Sequence, residues 1–361
     1  MTDQPPQTPV IRSDAHLAHA GLIELSGGNP IPCYESPERA VEIERALMAD
    51  GAFAFEEPDA FGTDPILAVH DVALLDVVAH AWTDGVAAGD LDGTRPLIPD
   101  TFKLAAYIGS MELVEEPPTA HRRLGAYLFD TATPIVAGPA EAALAAVDVA
   151  LTAAARVVDG APLAYGLCRP PGHHAAQGML GGYCFFNNAA VVAEWLRRSA
   201  GFGRVAILDV DYHHGNGTQQ IFWERGDVLY VSLHGDPARA YPYYSGYADE
   251  RGGGPGAGAT LNLPLPLSTV LDGYATALRT GLDAIAAFAP DAPLIVSLGF
   301  DTFVRDPIGD LAITTADYRE IGSMVAGLGT RVVALQEGGY AVDAIGANAV
   351  SFLTGLREGP G

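Results

Sequence analysis

Short apolar runs alternate with longer stretches whose apolar positions recur at helical spacing through the second half of the chain. "LAYGLCR", "RVAILDVD", "VLYVSLH", "TLNLPLP", "PLIVSLGFD" and "RVVALQEGG" read as strands carrying apolar residues on both faces. "EAALAAVDVALTAAARVVDG" precedes the first of these, and "NNAAVVAEWLRRSAG", "TQQIFWERG", "STVLDGYATALRTGLDAIAAFA" and "TTADYREIGSMVAGLG" separate later ones as helices. A last helix closes the chain. Two-sided apolar strands alternating with helices predict a parallel sheet covered on both faces.

The first half is less regular. "VIRSDAH" reads as a first strand, and "SPERAVEIERALMADGA" as a helix with Ser36 at its N-cap and Pro37 at its first position. "DPILAVHDVALLDVVAHAWTDG" follows as one long helix. Residues 90–134 carry proline, glycine and mixed charge without a clear period and read as a long excursion suited to an oligomer contact. There is no internal repeat. The expectation is one α/β domain over residues 1–361, three layers deep around a mainly parallel sheet, with residues 1–10 as a polar tail.

Composition narrows the function. Of 361 residues, 49% are apolar and 18% charged, as in a globular protein. The net charge of −24 argues against a nucleic-acid binder, which needs a basic footprint, and suits a cationic substrate. No stretch reaches the roughly 18 uncharged apolar residues of a membrane span, and "MTDQPPQTPV" lacks an apolar leader core. Cys33, Cys168 and Cys184 form no CxxC pair. A cytoplasmic location, without nucleic-acid or membrane partners, is the expectation.

The notable polar residues fall just after strands: Arg169–His174, Asp209–His214, His234, Asp301 and Glu337–Tyr340. In open parallel sheets, ligands bind beyond the carboxyl ends of the strands. Asp211 and His213, two apart at a strand end, can face the same way. With Asp301 from another strand they form a two-carboxylate, one-imidazole set suited to Zn²⁺ or Fe²⁺ with a position left open. In "CRPPGHH", His173 and His174 cannot easily both be charged, so their titrations should separate. Asp209 and Asn216 offer one charged and one neutral orienting acceptor. Tyr340, in "EGGY", can donate to an oxygen that gains charge.

"CRPPGHHA", "GGYCFFNNAA", "LDVDYHHGNGT", "YVSLHGDP", "GFDTFVRDP" and "EGGY" together resemble, in order, the motifs of the histone deacetylase superfamily, and within it most closely the bacterial acetylpolyamine amidohydrolases. The resemblance is close from about residue 90 to 357 and implies the arginase/deacetylase-like α/β/α fold. It implies that Asp211, His213 and Asp301 are the zinc ligands, that His174, oriented by Asn216, is general base and acid, and that His173, oriented by Asp209, is its electrostatic partner. Tyr340 matches the carbonyl-polarising tyrosine. A structural K⁺ site is implied near Asp209, Asp211, His213, Ser232 and Leu233. Gly182, Tyr183, Tyr241 and Ile308 match a narrow acyl-chain tunnel. Relatives select cationic tails with acidic residues, partly across a homodimer. Where they carry glutamate this chain has Ala132, so Asp130, Glu112, Glu115 and Glu116 are the candidate selectors.

The implied reaction is hydrolysis of a small N-acyl amine, acetylpolyamines foremost. A protein acetyl-lysine deacetylase or a broader amidase on the same machinery is the alternative, and a non-catalytic acyl-ligand binder is a third reading. Arginase-type enzymes bind two metals through Asp-x-Asp pairs. Here "GFDTFVRDP" supplies Asp301 alone, which favours one metal.

Overall fold

The protein is described from a computed structural model, which covers residues 7–21, 23–104, 106 and 116–360. Eight parallel strands form the central sheet, in the order β4 (Phe53–Glu56), β1 (Thr8–Ile11), β5 (Leu163–Gly166), β10 (Val332–Gln336), β9 (Leu294–Leu298), β6 (Val205–Asp209), β7 (Val228–Gly235), β8 (Thr260–Leu265). Among the described residues, β2 (Ile23–Ser26) and β3 (Asn29–Pro32) form a separate antiparallel pair. The five strands from β5 to β7 in that order are buried at every position, which explains their near-continuous apolar sequences.

Helices cover the sheet where amphipathic spacing predicts them. Pro139–Val158 buries Val147, Ala150 and Ala154 among others, its small residues allowing close approach. Leu271–Phe288 buries Leu278, Leu282 and Ile285. Thr315–Ala326 opens on a capping box, with the Thr314 backbone N–H donating to the Asp317 carboxylate at 2.8 Å. Pro37–Asp50 begins at the expected proline and ends on left-handed Gly51.

Four expectations are corrected. The segment read as one helix from residue 64 breaks into Asp64–Leu67 and Val72–Ala88. The break swings His70 inward, where its Nδ1 meets the Ala176 carbonyl at 3.0 Å and its Nε2 accepts the Asn187 N–H at 2.9 Å. Two tertiary hydrogen bonds outweigh helical continuity there. The polar tail is shorter than 1–10, because Thr8 and Pro9 already belong to β1 and pair with Phe53 and Ala54. β4 and the β2–β3 pair were not read from the sequence; β4 is a four-residue edge strand whose alternation is too short to stand out. Within 90–134, Ala120–Arg123 is helical, and Leu97 and Leu128 bridge to Ile135 and Leu180.

The topology places chemistry at one edge. β5, β10, β9, β6 and β7 are consecutive neighbours, and every polar segment singled out above leaves the carboxyl end of one of them. Register fixes their level: Asp209 lies opposite Ser297 on one side and Ser232 on the other.

Candidate active site

Asp211, His213 and Asp301 present ligand atoms that all lie within 4.8 Å of one another, and all three residues are buried. Backbone amides hold the two carboxylates in place. The Gly338 N–H donates to Asp211 Oδ2 at 2.7 Å and the His213 N–H to Asp211 Oδ1 at 2.9 Å, while the Tyr212 N–H donates to Asp301 Oδ1 at 2.7 Å. His213 Nδ1 stands 2.9 Å from Asp301 Oδ2 and 3.4 Å from Asp211 Oδ1. A Cβ on Gly338 would come within 2.5 Å of Asp301 Oδ2 and 2.6 Å of Asp211 Oδ2, so the cradle tolerates only glycine there. Two converging buried carboxylates are costly without a cation. The donor set, two oxygens and one nitrogen, fits a divalent transition metal.

The tandem histidines flank this cluster with ring centroids 4.1 Å apart. His173 Nδ1 lies 3.1 Å from Asp209 Oδ2, and His174 Nδ1 lies 2.7 Å from Asn216 Oδ1. Asp209 is itself held by the Tyr230 hydroxyl at 2.9 Å. Burial alone disfavours the His173 cation, but Asp211, Asp209 and Glu337 reverse that and hold it well above the ordinary histidine range. Burial together with the His173 and His213 charges holds His174 well below that range. The two titrations separate as neighbouring imidazoles require. Glu337, pushed up to about 7 chiefly by burial, accepts the Gly172 N–H at 2.6 Å and the His173 N–H at 3.1 Å, joining two rim loops.

Tyr340 completes the rim. Burial raises its phenol well above the ordinary value, so it stays a donor. Its backbone is fixed by Asp306, whose carboxylate accepts the Tyr340 N–H at 2.6 Å and the Ala341 N–H at 3.2 Å. The Arg39 guanidinium sits 4.7 Å over the Tyr340 ring and donates to the Gly339 and Glu337 carbonyls, both at 2.5 Å. Arg39 and Asp306 escaped the sequence reading. Arg39 lies on a helix far from any rim motif, and Asp306 resembles an ordinary Asp-Pro turn.

His174, His213 and Tyr340 open into a cavity of about 490 Å³, lined also by Gly182, Tyr183, Tyr241 and Ile308. All four tunnel candidates therefore share one wall system. Gly182 (φ +55°) packs against His174, and a Cβ there would meet its ring at 2.3 Å. The hydroxyl of Tyr183 donates to Glu24 Oε2 at 2.7 Å, a partner from β2 that the sequence did not suggest. Tyr241 donates to Asp130 Oδ2 at 2.6 Å, and the Gly182 N–H donates to the same atom at 2.8 Å.

The candidate selectors are thus not assembled as a set. Asp130 is spent on the tunnel wall and does not line the cavity. Glu116 is exposed, bonded to Lys103 at 2.8 Å, and also outside the cavity lining. Glu112 and Glu115 lie outside the described residues. Of the potassium candidates, Asp209 and Ser232 are opposite each other in register, and Leu233 follows on the same strand.

The histone deacetylase domain model matches residues 33–356. The chain is 45% identical over 348 residues to acetylpolyamine amidohydrolase 2 of Pseudomonas aeruginosa, covering 96% of this chain and 98% of that protein. It is 41% identical over 351 residues to acetylpolyamine amidohydrolase of Mycoplana ramosa, covering 96% and 99%. The crystal structure of acetylpolyamine aminohydrolase from Burkholderia pseudomallei superimposes with a TM-score of 0.89 at 37% identity, covering 97% of this chain and 98% of that one. On that match, spanning nearly all of the rim described above, the chain belongs to the histone deacetylase family.

Proposed function

We propose that the protein is a metal-dependent amidohydrolase that removes the acyl group from small N-acyl amines, acetylpolyamines and their like. The observation that carries this is the convergence of Asp211, His213 and Asp301 beside two histidines of opposite proton affinity, with His213 and His174 lining one cavity. In this reading the three residues hold Zn²⁺ or Fe²⁺, which supplies Lewis acidity to the amide carbonyl and acidity to a water. His174, neutral and oriented by Asn216, takes the proton of the attacking water and delivers it to the departing amine. His173 remains cationic and steadies the negative charge that develops. Tyr340 donates to the carbonyl oxygen as it becomes an oxyanion.

The relatives' names support the acetylpolyamine class. A structural K⁺ near Asp209, Asp211, His213, Ser232 and Leu233, a homodimer through the 90–134 excursion and action in the cytoplasm belong to the same proposal. No helix among the described residues is long and apolar enough to cross a membrane.

Chelation is expected to abolish hydrolysis of acetylputrescine and added Zn²⁺ or Fe²⁺ to restore it. In a competition among acetylputrescine, acetylspermidine and an acetyl-lysine peptide, kcat/KM is expected to favour the small amines. Activity that survives complete metal removal would refute the hydrolase mechanism, and equal kcat/KM for all three would refute the small-molecule preference. Sizing at several concentrations checks the dimer, and a monomer throughout refutes it.

A further inference from the structure

The cavity wall carries one cation and one anion. Among the described residues lining it, Arg239 is the sole basic side chain other than histidine, and Asp310 the sole carboxylate. They come from different loops. Arg239 follows β7, where its N–H is tied to the Asp236 carbonyl at 2.9 Å, and Asp310 lies in the loop between β9 and the Thr315–Ala326 helix, its carbonyl accepting the Ser268 N–H at 2.9 Å. Asp310 is half-buried and Arg239 exposed.

Many arginines of the molecule are spent in ion pairs, although Arg204, Arg251, Arg279, Arg331 and Arg357 have no carboxylate partner among the described residues either. Arg197 and Arg225 bind Glu194 and Asp227, and Arg305 binds Asp343. Arg156 binds Glu56 and Asp59. Arg239 also has no such carboxylate among the described residues, although the chain carries 44 acidic residues against 20 basic ones, and of these unpaired arginines it is the one that lines the cavity. A cation left unpaired on a cavity wall in so acidic a protein is placed to meet an anion from outside. It also repels a second ammonium brought to the same wall.

We propose that Arg239 and Asp310 select substrates whose far end carries both a carboxylate and an ammonium, that is, the side-chain N-acyl derivatives of free diamino acids. The acyl amide would lie among His174, His213 and Tyr340, with the α-carboxylate on Arg239 and the α-ammonium on Asp310. A guanidinium is suited to the carboxylate because its donors match it in pairs. Within a peptide both α-groups are amides, so the same pair disfavours acetyl-lysine in a protein. This inference rests on the hydrolase reading and refines its substrate class.

Nε-Acetyl-lysine and N-acetylcadaverine isolate the contribution, because they differ only in the carboxylate. With metal-loaded full-length protein, kcat/KM is expected to be higher for Nε-acetyl-lysine. R239A is expected to lower it about fivefold to tenfold, chiefly through KM, with acetylcadaverine little changed. R239E is expected to move the ratio of the two substrates at least tenfold toward acetylcadaverine. D310N is expected to weaken both substrates, since both carry the ammonium. The R239E effect should shrink at high salt. A wild-type preference for acetylcadaverine, or a ratio that R239E leaves within twofold, overturns the inference while leaving the hydrolase intact. No hydrolysis of either substrate or of acetylputrescine overturns the hydrolase reading itself.

Discussion

Two histidine pairs lie ring beside ring at the carboxyl edge of the sheet, both tilted, and they differ in their neighbours. His173 and His174 lie 4.1 Å apart between ring centroids, and His214 and His234 lie 4.7 Å apart. All four are buried. The first pair is set among carboxylates, with Asp209 and Asp211 near His173, and it divides into one imidazole of raised and one of lowered proton affinity. The second pair faces neutral groups: Ser245 Oγ at 3.0 Å from His214, and Ser232 Oγ and the Gly246 carbonyl, each at 2.8 Å, from His234. Burial wins there. His214 is held well below the ordinary range and His234 near 4. Burial silences an imidazole, and adjacent carboxylates return a charge to it. A pair holding one charged and one neutral ring is equipped for proton transfer, and a pair of neutral rings is equipped for packing.

The strongest way to break this contrast is to remove one ring from each pair. H174A is expected to lower kcat by about 10²–10⁴-fold, the usual worth of a general base, with little change in melting temperature. H234N is expected to cost about 1–3 kcal/mol of stability, because it disturbs buried hydrogen bonds. Its kcat per folded, metal-loaded molecule should stay within about tenfold of wild type. Comparable losses of kcat in both variants would erase the functional distinction between the pairs.

D209N sharpens the contrast within the first pair. It keeps the shape beside His173 but removes one of the anions that sustain its charge. With that anion gone, His173 loses its proton at lower pH, so the alkaline limb of the kcat/KM profile moves down by about one pH unit. An unmoved limb, with kcat unchanged, would make Asp209 a structural acceptor alone.

The sequence disclosed the first pair more readily than the second for a physical reason. A doubled histidine followed downstream by "LDVDYHHGNGT" puts charged groups where strand periodicity demands apolar ones, and that conflict is visible without coordinates. The strands themselves were legible because two-sided burial leaves continuous apolar runs in β5, β6, β7, β9 and β10. Arg39, Glu24 and Asp306 were illegible. Each acts through a contact distant in sequence, such as the 300-residue span from Arg39 to Gly339. His70 was read as helix interior because its local pattern is helical and its two hydrogen bonds are not local.

His70 belongs with the second pair, since burial holds it near 4 and no carboxylate bonds to its ring. The unfolded chain takes up its proton near the ordinary 6.5, whereas the folded one refuses it until about 4. Between those values the unfolded state binds more protons, so stability falls as pH drops from about 6.5 to 4. The gap of roughly 2.5 units corresponds to about 3 kcal/mol from this residue, and His19 and His234 add in the same direction. H70Q, whose amide can replace both hydrogen bonds, is expected to flatten part of that slope in denaturant titrations run between pH 4 and 7. A slope identical to wild type would show that His70 is not among the groups resisting protonation.

The smallest effect is expected at Glu116, where the sequence suggested a substrate selector and the structure shows an exposed carboxylate. Its Oε1 lies 2.8 Å from Lys103 Nζ and its Oε2 3.3 Å from the Tyr127 hydroxyl, and it does not line the cavity. An exposed pair of this kind is worth under about 1 kcal/mol, because solvent and salt screen it. E116A should therefore shift the melting temperature little and leave KM for acetylspermidine within about twofold. The buried carboxylates at the strand ends owe their influence to exclusion of water, and Glu116 lacks that advantage. A KM raised more than fivefold, at unchanged stability, would mean that the 90–134 excursion turns Glu116 toward a substrate in the assembled protein. Selection would then extend from the cavity wall to a neighbouring subunit.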